Sequence, residues 1–160
     1  VPIFPQFKIN HGGDDWPAEM HFVKVRDWLR KEGFRRKQSL KARLYGDLEL
    51  RSSVYDQEDG RIRLQVLFLP QSTGQMDACY VFSSQAEDEQ RFITDNIFVP
   101  FGGFYPADWH LVRKPLVRDP RKLYRTHEQR LKKADAAVSA WTEEDDPVDD
   151  LNHQQRMLER

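Results

Sequence analysis

The sequence predicts an α+β domain: an antiparallel meander of four to six strands, with an N-terminal helix on one face and a charged C-terminal helix. Three observations carry this reading. From Leu40 to about Val99 the chain reads as a run of short, alternating strands. Before that run, Ala18, Phe22, Val25 and Leu29 follow the i, i+4, i+7, i+11 spacing of one helical stripe. After it, Asp119-Pro120 opens a second helical pattern through Tyr124, Leu131 and Val138.

Residues 1–15 form an extended apolar arm. Pro2 and Pro5 disfavour helix, Gly12-Gly13 is a joint, and Val1, Ile3, Phe4, Phe7 and Ile9 are too apolar for a free tail. The single α+β domain spans residues 16–141. Asp14 or Asp15 caps its first helix, Trp16–Glu32, and Gly33 suits the left-handed position that ends it. Leu44, Leu48, Leu50 and Val54 then read as inward positions of one or two strands, and Asp59-Gly60 is the strongest hairpin signal. Ile62, Leu64, Val66 and Phe68 alternate against Arg61, Arg63 and Gln65. Further strands follow at Ala78–Phe82 and Arg91–Val99, so the meander has one helix-covered face. Pro100–Asp108 is a Gly-, Pro- and aromatic-rich loop, Trp109–Val117 one more extended segment, and the second helix runs from near Pro120 to about Trp141. Residues 142–160 are an acidic linker and a short C-terminal helix with too few apolar residues to be held without a partner.

The net charge of −1 conceals blocks. Lys24–Arg43 carries nine basic residues against Asp27 and Glu32, and Arg113–Lys133 nine against Asp119 and Glu128. Ala134–Asp150 has seven acids and no Lys or Arg. Arg35, Arg36, Lys37, Arg113, Lys114, Arg118, Arg121, Lys122 and Arg125 are therefore expected to form a basic patch for an anionic partner. A pI near 6.6 with no named motif argues against a dedicated nucleic-acid binder. The single cysteine, Cys79, excludes an intrachain disulfide and reads as a buried hydrophobe. No apolar stretch approaches the roughly 20 residues that span a bilayer.

Candidate chemistry is sparse, and neither catalytic residue, cofactor nor metal is expected. His11, Asp14, Asp15, Glu19 and His21 gather near the first helix without a recognised ligand spacing; capping and surface polarity account for them. Asp56, Glu58 and Asp59 lack the long loop of a calcium site. Asp47 and Glu49 resemble a nuclease acidic pair, but Arg51 stands where a Lys is needed. Asp108, His110 and His127 are the general-base candidates, with no Ser or Cys at a nucleophile elbow.

Several landmarks together resemble a group of uncharacterised bacterial membrane-anchored proteins whose soluble α+β domain follows a hydrophobic N-terminal segment. They are the run Phe22–Phe34, the turn Val54–Gly60, Thr94-Asp95-Asn96, Arg113-Lys114-Pro115 and Asp119–His127, covering roughly Phe22 to Lys133. The resemblance transfers no activity and no catalytic residue. It implies that a piece upstream of Val1 is a transmembrane anchor, whose orientation stays open because Val1–Val23 holds a single basic residue, Lys8.

The resulting expectation is a non-catalytic accessory or interaction module, membrane-associated or cytoplasmic, held at a membrane or within a larger assembly. Ile3, Phe4, Phe7, Phe101, Phe104 and Tyr105 are its expected apolar contacts with a protein partner, because they are apolar residues outside the core pattern. An anionic membrane surface is the second partner class. A nucleic-acid-binding module using the basic patch is the alternative function, and an undetected enzyme built on His110 or His127 the third.

Overall fold

The computed structural model describes residues 6–13, 16–43, 49–87, 89–98, 105–134, 138–141 and 145–152. They build one seven-stranded sheet in unbroken chain order: β1 (Phe7–Ile9), β2 (Phe34–Arg43), β3 (Glu49–Gln57), β4 (Arg63–Pro70), β5 (Met76–Gln85), β6 (Arg91–Asp95) and β7 (His110–Arg113). Neighbours are antiparallel except β6 and β7, which are parallel. A parallel pair needs a crossover of about a dozen residues or more, and the chain from Asn96 to Trp109 supplies it. Helix α1 (Met20–Lys31) precedes β2, and α2 (Pro120–Ala134) follows β7. A short helical segment, α3, covers residues 147–152.

Both long helices lie on one face. Phe22 and Leu29 of α1, with Leu123, Tyr124 and Leu131 of α2, pack on Phe34, Tyr55, Leu64, Val66, Phe68, Tyr80 and Phe82. Fully burying each of these side chains contributes about 1.5–3 kcal/mol. Aromatic edges lock the layer: Tyr124 meets Trp28, Phe34 and Phe82 at ring separations of 5.5–5.7 Å. Trp16 meets Phe68 at 5.1 Å and donates its indole N–H to the Tyr55 hydroxyl at 2.7 Å.

The opposite face carries a second cluster: Phe7, Leu40, Ala42, Leu50, Val54, Leu67, Leu69, Cys79, Val81, Ile93 and Ile97. The expectation of one covered face is therefore corrected. Leu50 and Val54 point away from the helices, and Tyr105, Trp109, Val148 and Leu151 pack over this side instead. Burial pushes the Cys79 thiol up to about 11, as an inert core sulfur requires.

The strand count also exceeds the expected four to six. The arm contributes β1, whose Phe7, Lys8 and Ile9 pair with Ala42, Lys41 and Leu40. β2 escaped notice because a bulge between Arg36 and Gln38 shifts its register. Phe34 faces the helices, whereas Leu40 and Ala42 face the other cluster, so no single period of two runs through the strand. Leu44 and Leu48 lie outside the described residues, as do Asp14 and Asp15. Helix α1 starts at Met20 rather than Trp16, because Trp16 is docked on the sheet as non-helical lead-in. Glu19 takes the N-cap position without a side-chain capping bond. Gly33 ends the helix as expected, at φ +82°.

Helix α2 ends at Ala134, short of Trp141, because the sheet captures the chain beyond it. Ser139 bridges to Gln85, and the Trp141 N–H donates to the Gly60 carbonyl at 2.6 Å. Gly60 is required twice over. Its φ is +74°, and a Cβ there would lie 3.0 Å from both the Ala140 Cβ and the Trp141 carbonyl oxygen. The Trp141 ring lies 4.1 Å from the Arg63 guanidinium and 5.0 Å from that of Arg91. Arg63 is held by a bidentate pair with Asp56 (2.7 and 3.0 Å) and donates to the Asp145 carbonyl at 3.0 Å. Arg91 grips Asp150 through both terminal nitrogens and lies 4.5 Å from the Trp109 ring. Asn152 then accepts from the Phe7 N–H and donates to the Phe7 carbonyl, each at 3.0 Å, so its amide acts as a one-residue neighbour for edge strand β1. Asp150 of the acidic segment thus finds its partner in the sheet. We refer to residues 138–141 and 145–152 together as the strap.

Replacing Asp150 by Ala leaves the nearly buried Arg91 uncompensated, at a cost of about 2–4 kcal/mol. Asp150→Ala is expected to lower the thermal midpoint and open the strap to limited proteolysis. Arg121→Ala breaks an exposed pair and should leave both unchanged.

Candidate functional site

The structure sets Arg113 apart from the β2 members of the expected basic patch. Arg35–Lys37 sit on β2 and Arg113 on β7, with four strands between them. Several of the cations already have carboxylate partners. Arg35 pairs with Glu58 at 2.8 Å, Arg121 with Asp119 at 2.9 Å, and Arg118 with Asp77. Arg36 donates to the Ser39 hydroxyl at 2.8 Å. Lys122 and Arg125 are exposed on α2, and Lys114 is exposed just beyond β7.

Arg113 is structural. Its guanidinium holds Asp95 bidentately at 2.8 and 3.0 Å. Asp95 is fully buried, and its carboxylate also accepts from the Tyr105 hydroxyl (3.1 Å) and the Ile97 N–H (3.2 Å). Burial, then the Asp95 charge, pushes the Tyr105 phenol well above its ordinary range. The same hydrogen-bonded carboxylate raises Arg113. This network ties β6, β7 and the returning loop together, so Tyr105 is not a free partner contact. Phe7 is likewise corrected: at 7% exposure it fills the second core. Ile3, Phe4, Phe101 and Phe104 lie outside the described residues.

Of the two candidate histidines, one is spent on structure. His127 is fully buried under α2. The Ser84 hydroxyl donates to the Arg61 carbonyl at 2.7 Å, and so accepts from His127 Nε2–H at 2.9 Å. The Thr94 hydroxyl accepts from Arg130 Nη1 and donates to His127 Nδ1, both at 2.8 Å. Donors and acceptors alternate from Arg130 to the Arg61 carbonyl, which fixes the ring in its Nε2–H tautomer. Ser84 and the ring have no solvent access, so the Ser–His contact cannot serve nucleophilic chemistry. Burial, helped by the Arg130 charge, drives the His127 pKa down to about 3. His110 stacks on Phe92 at 4.7 Å, and its carbonyl accepts from Arg130 Nη2 at 2.8 Å. Among the described residues, no three His, Cys, Asp or Glu side chains converge as a metal site.

What sequence reasoning missed is the outer edge of β7. The Lys114 N–H donates to the Asp95 carbonyl at 2.9 Å. In a parallel ladder bonding alternates along the strand, so Val112 also faces β6 while the N–H and C=O of Leu111 point away from it. Among the described residues no strand pairs with that edge. Leu111 is 40% exposed, and Leu116, in the turn after the strand, is 93% exposed. Phe98 is 38% exposed and lies 4.2 Å from the Arg118 guanidinium. The Leu111 signal was available as an apolar residue in an extended segment. Its strand's position at the end of the sheet was not.

Comparison with protein-family models, curated proteins and solved structures finds no match.

The His127 shift has a defined stability consequence. The unfolded chain protonates this ring near 6.5, whereas the fold resists protonation until about 3. Between those values the unfolded state binds more protons, so stability is complete above pH 6.5 and declines as pH falls, by at most about 1.4 kcal/mol per unit. Chemical denaturation across pH 7 to 4 should show this slope, and His127→Gln should flatten it.

Proposed function

We propose that this chain is a non-catalytic accessory or interaction module, docking an extended segment of a partner protein along the outer edge of β7, within a larger assembly or at a membrane. The observation that carries this reading is the contrast between the two ends of the sheet. At β1 the chain covers its own edge with the Asn152 amide and the strap. At β7 the backbone of Leu111 points away from β6, Leu111 itself is exposed, and Leu116 is exposed in the turn that follows the strand. A natural sheet blunts or covers its edges unless an edge is used. Strand addition combines main-chain hydrogen bonds with alternate side-chain contacts, which suits this edge. Exposed Lys114 favours a segment that also carries a carboxylate.

The buried placement of His127 and the stacked one of His110 speak against the enzyme reading. Pairing of Arg35, Arg113, Arg118 and Arg121 with carboxylates lowers their value for phosphate, which disfavours nucleic acid. Among the described residues no helix is long and apolar enough to cross a membrane, so membrane attachment in this reading rests on a segment outside them or on a partner.

A photo-crosslinking residue at position 116 tests the docking edge in the native host. A discrete adduct is expected from position 116 and none from position 31, on exposed α1 surface. Leu111→Pro removes the outward N–H without taking a bond from β6, and should abolish the adduct. An adduct that survives Leu111→Pro, or no adduct at all, overturns the proposal.

A further inference from the structure

The sheet and the two long helices enclose a second feature, away from the β7 edge. A cleft of about 320 Å³ opens between α1 and the start of α2. His21, Lys24 and Val25 form one wall, Arg118–Arg121 the other, and Tyr80 of β5 lines it from the sheet. That volume falls at the small end of ligand pockets.

Tyr80 makes this more than a gap between helices. It is 3% exposed, and its ring belongs to the core cluster beneath both helices. Its backbone N–H is bonded to Asn96, yet its hydroxyl has no hydrogen-bond partner among the described residues. The hydroxyl is not among the fully enclosed, unpartnered side-chain atoms of the described residues, so it reaches the cleft surface, where a buried ring holds it in place as a donor open to an acceptor. Burial, with Asp77 nearby, keeps the phenol protonated far above neutral pH, so it acts as a donor.

Charge and wall chemistry narrow the class. Arg118 is engaged by Asp77, and Arg121 by Asp119, whose carboxylate also caps α2 through the Arg121 N–H. The cap already serves that helix end, so the helix N-terminus is not the attraction. Lys24 has no ion-pair partner among the described residues and leaves the cleft with one uncompensated positive charge. Beside His21, the remaining lining, Val25, Pro120 and the Tyr80 ring, is apolar. One donor, one cation and apolar walls fit a singly charged carboxylate on an apolar body.

We propose that the cleft between α1 and α2 binds a small monocarboxylate, whose oxygens accept from the Tyr80 hydroxyl and pair with the Lys24 ammonium while its apolar body lies against Val25 and Pro120. This site is independent of the β7 edge, and its failure would leave the docking proposal standing.

Titration of the whole chain with phenylacetate, followed by amide NMR, tests it. Saturable shifts are expected at residues 21–25, 80 and 118–121. Tyr80→Phe, which removes only the hydroxyl, should weaken binding about tenfold, as loss of one hydrogen bond to a charged acceptor implies. Lys24→Met, at an exposed position, should weaken it by at least as much. Phenylacetamide, uncharged but of the same shape, and inorganic phosphate, charged but without an apolar body, should each bind more weakly than phenylacetate. No saturable shift, equal binding by phenylacetamide or phosphate, or undiminished binding by both variants would each overturn the proposal.

Discussion

The fold depends on covering the sheet face that the helices leave bare. Seven strands with both helices on one side expose Leu40, Val54, Leu67, Val81 and Ile93 on the other. The strap closes that face, and Trp141 between the guanidinium groups of Arg63 and Arg91 holds it there. Each arginine is already neutralised, by Asp56 and Asp150. A desolvated cation stacked on an indole is strong only when its own charge is satisfied, and both conditions hold here. Without this arrangement the acidic segment would have no reason to return to the sheet, and the second cluster would face water.

The same logic runs through the rest of the molecule, where long-range polar ties join elements that hydrophobic packing alone would leave free to slide. Asp95 with Arg113 and Tyr105 fixes the parallel strand β7 and the loop before it. His127 between Ser84 and Thr94 fixes α2 over β5 and β6. Buried networks of this kind are specific because every donor has one acceptor within reach; removing a member leaves a buried group unsatisfied. Several residues that look catalytic or cationic in the sequence, His127, Arg63, Arg91 and Arg113 among them, are therefore engaged in holding the sheet together.

The turn from Lys114 to Asp119 is where the remaining surface features meet. It carries exposed Leu116 beside the β7 edge, and Arg118, which spans Phe98, Asp77 and the cleft beneath α1. One short connection thus borders both the proposed docking edge and the proposed carboxylate cleft. Each draws on a different property of that turn: backbone and apolar exposure on one side, an enclosed donor and a nearby cation on the other.

The α+β class, the helical stripe of Phe22 and Leu29, the stop at Gly33, the Asp59-Gly60 turn and the start of α2 at Pro120 were legible in the sequence, because local spacing and turn chemistry set them. The bulge in β2, the pairing of β1, the strap and the engagement of the arginines were not. Each depends on residues far apart in the chain: Asn152 against Phe7, Asp150 against Arg91, Trp141 against Arg63. Sequence alone determined which segments carry charge and which carry period-two hydrophobicity. Only the tertiary structure decided which charges meet each other, that no strand among the described residues pairs with the outer edge of β7, and that Tyr80 lines a cleft between the helices, because such contacts are made in space.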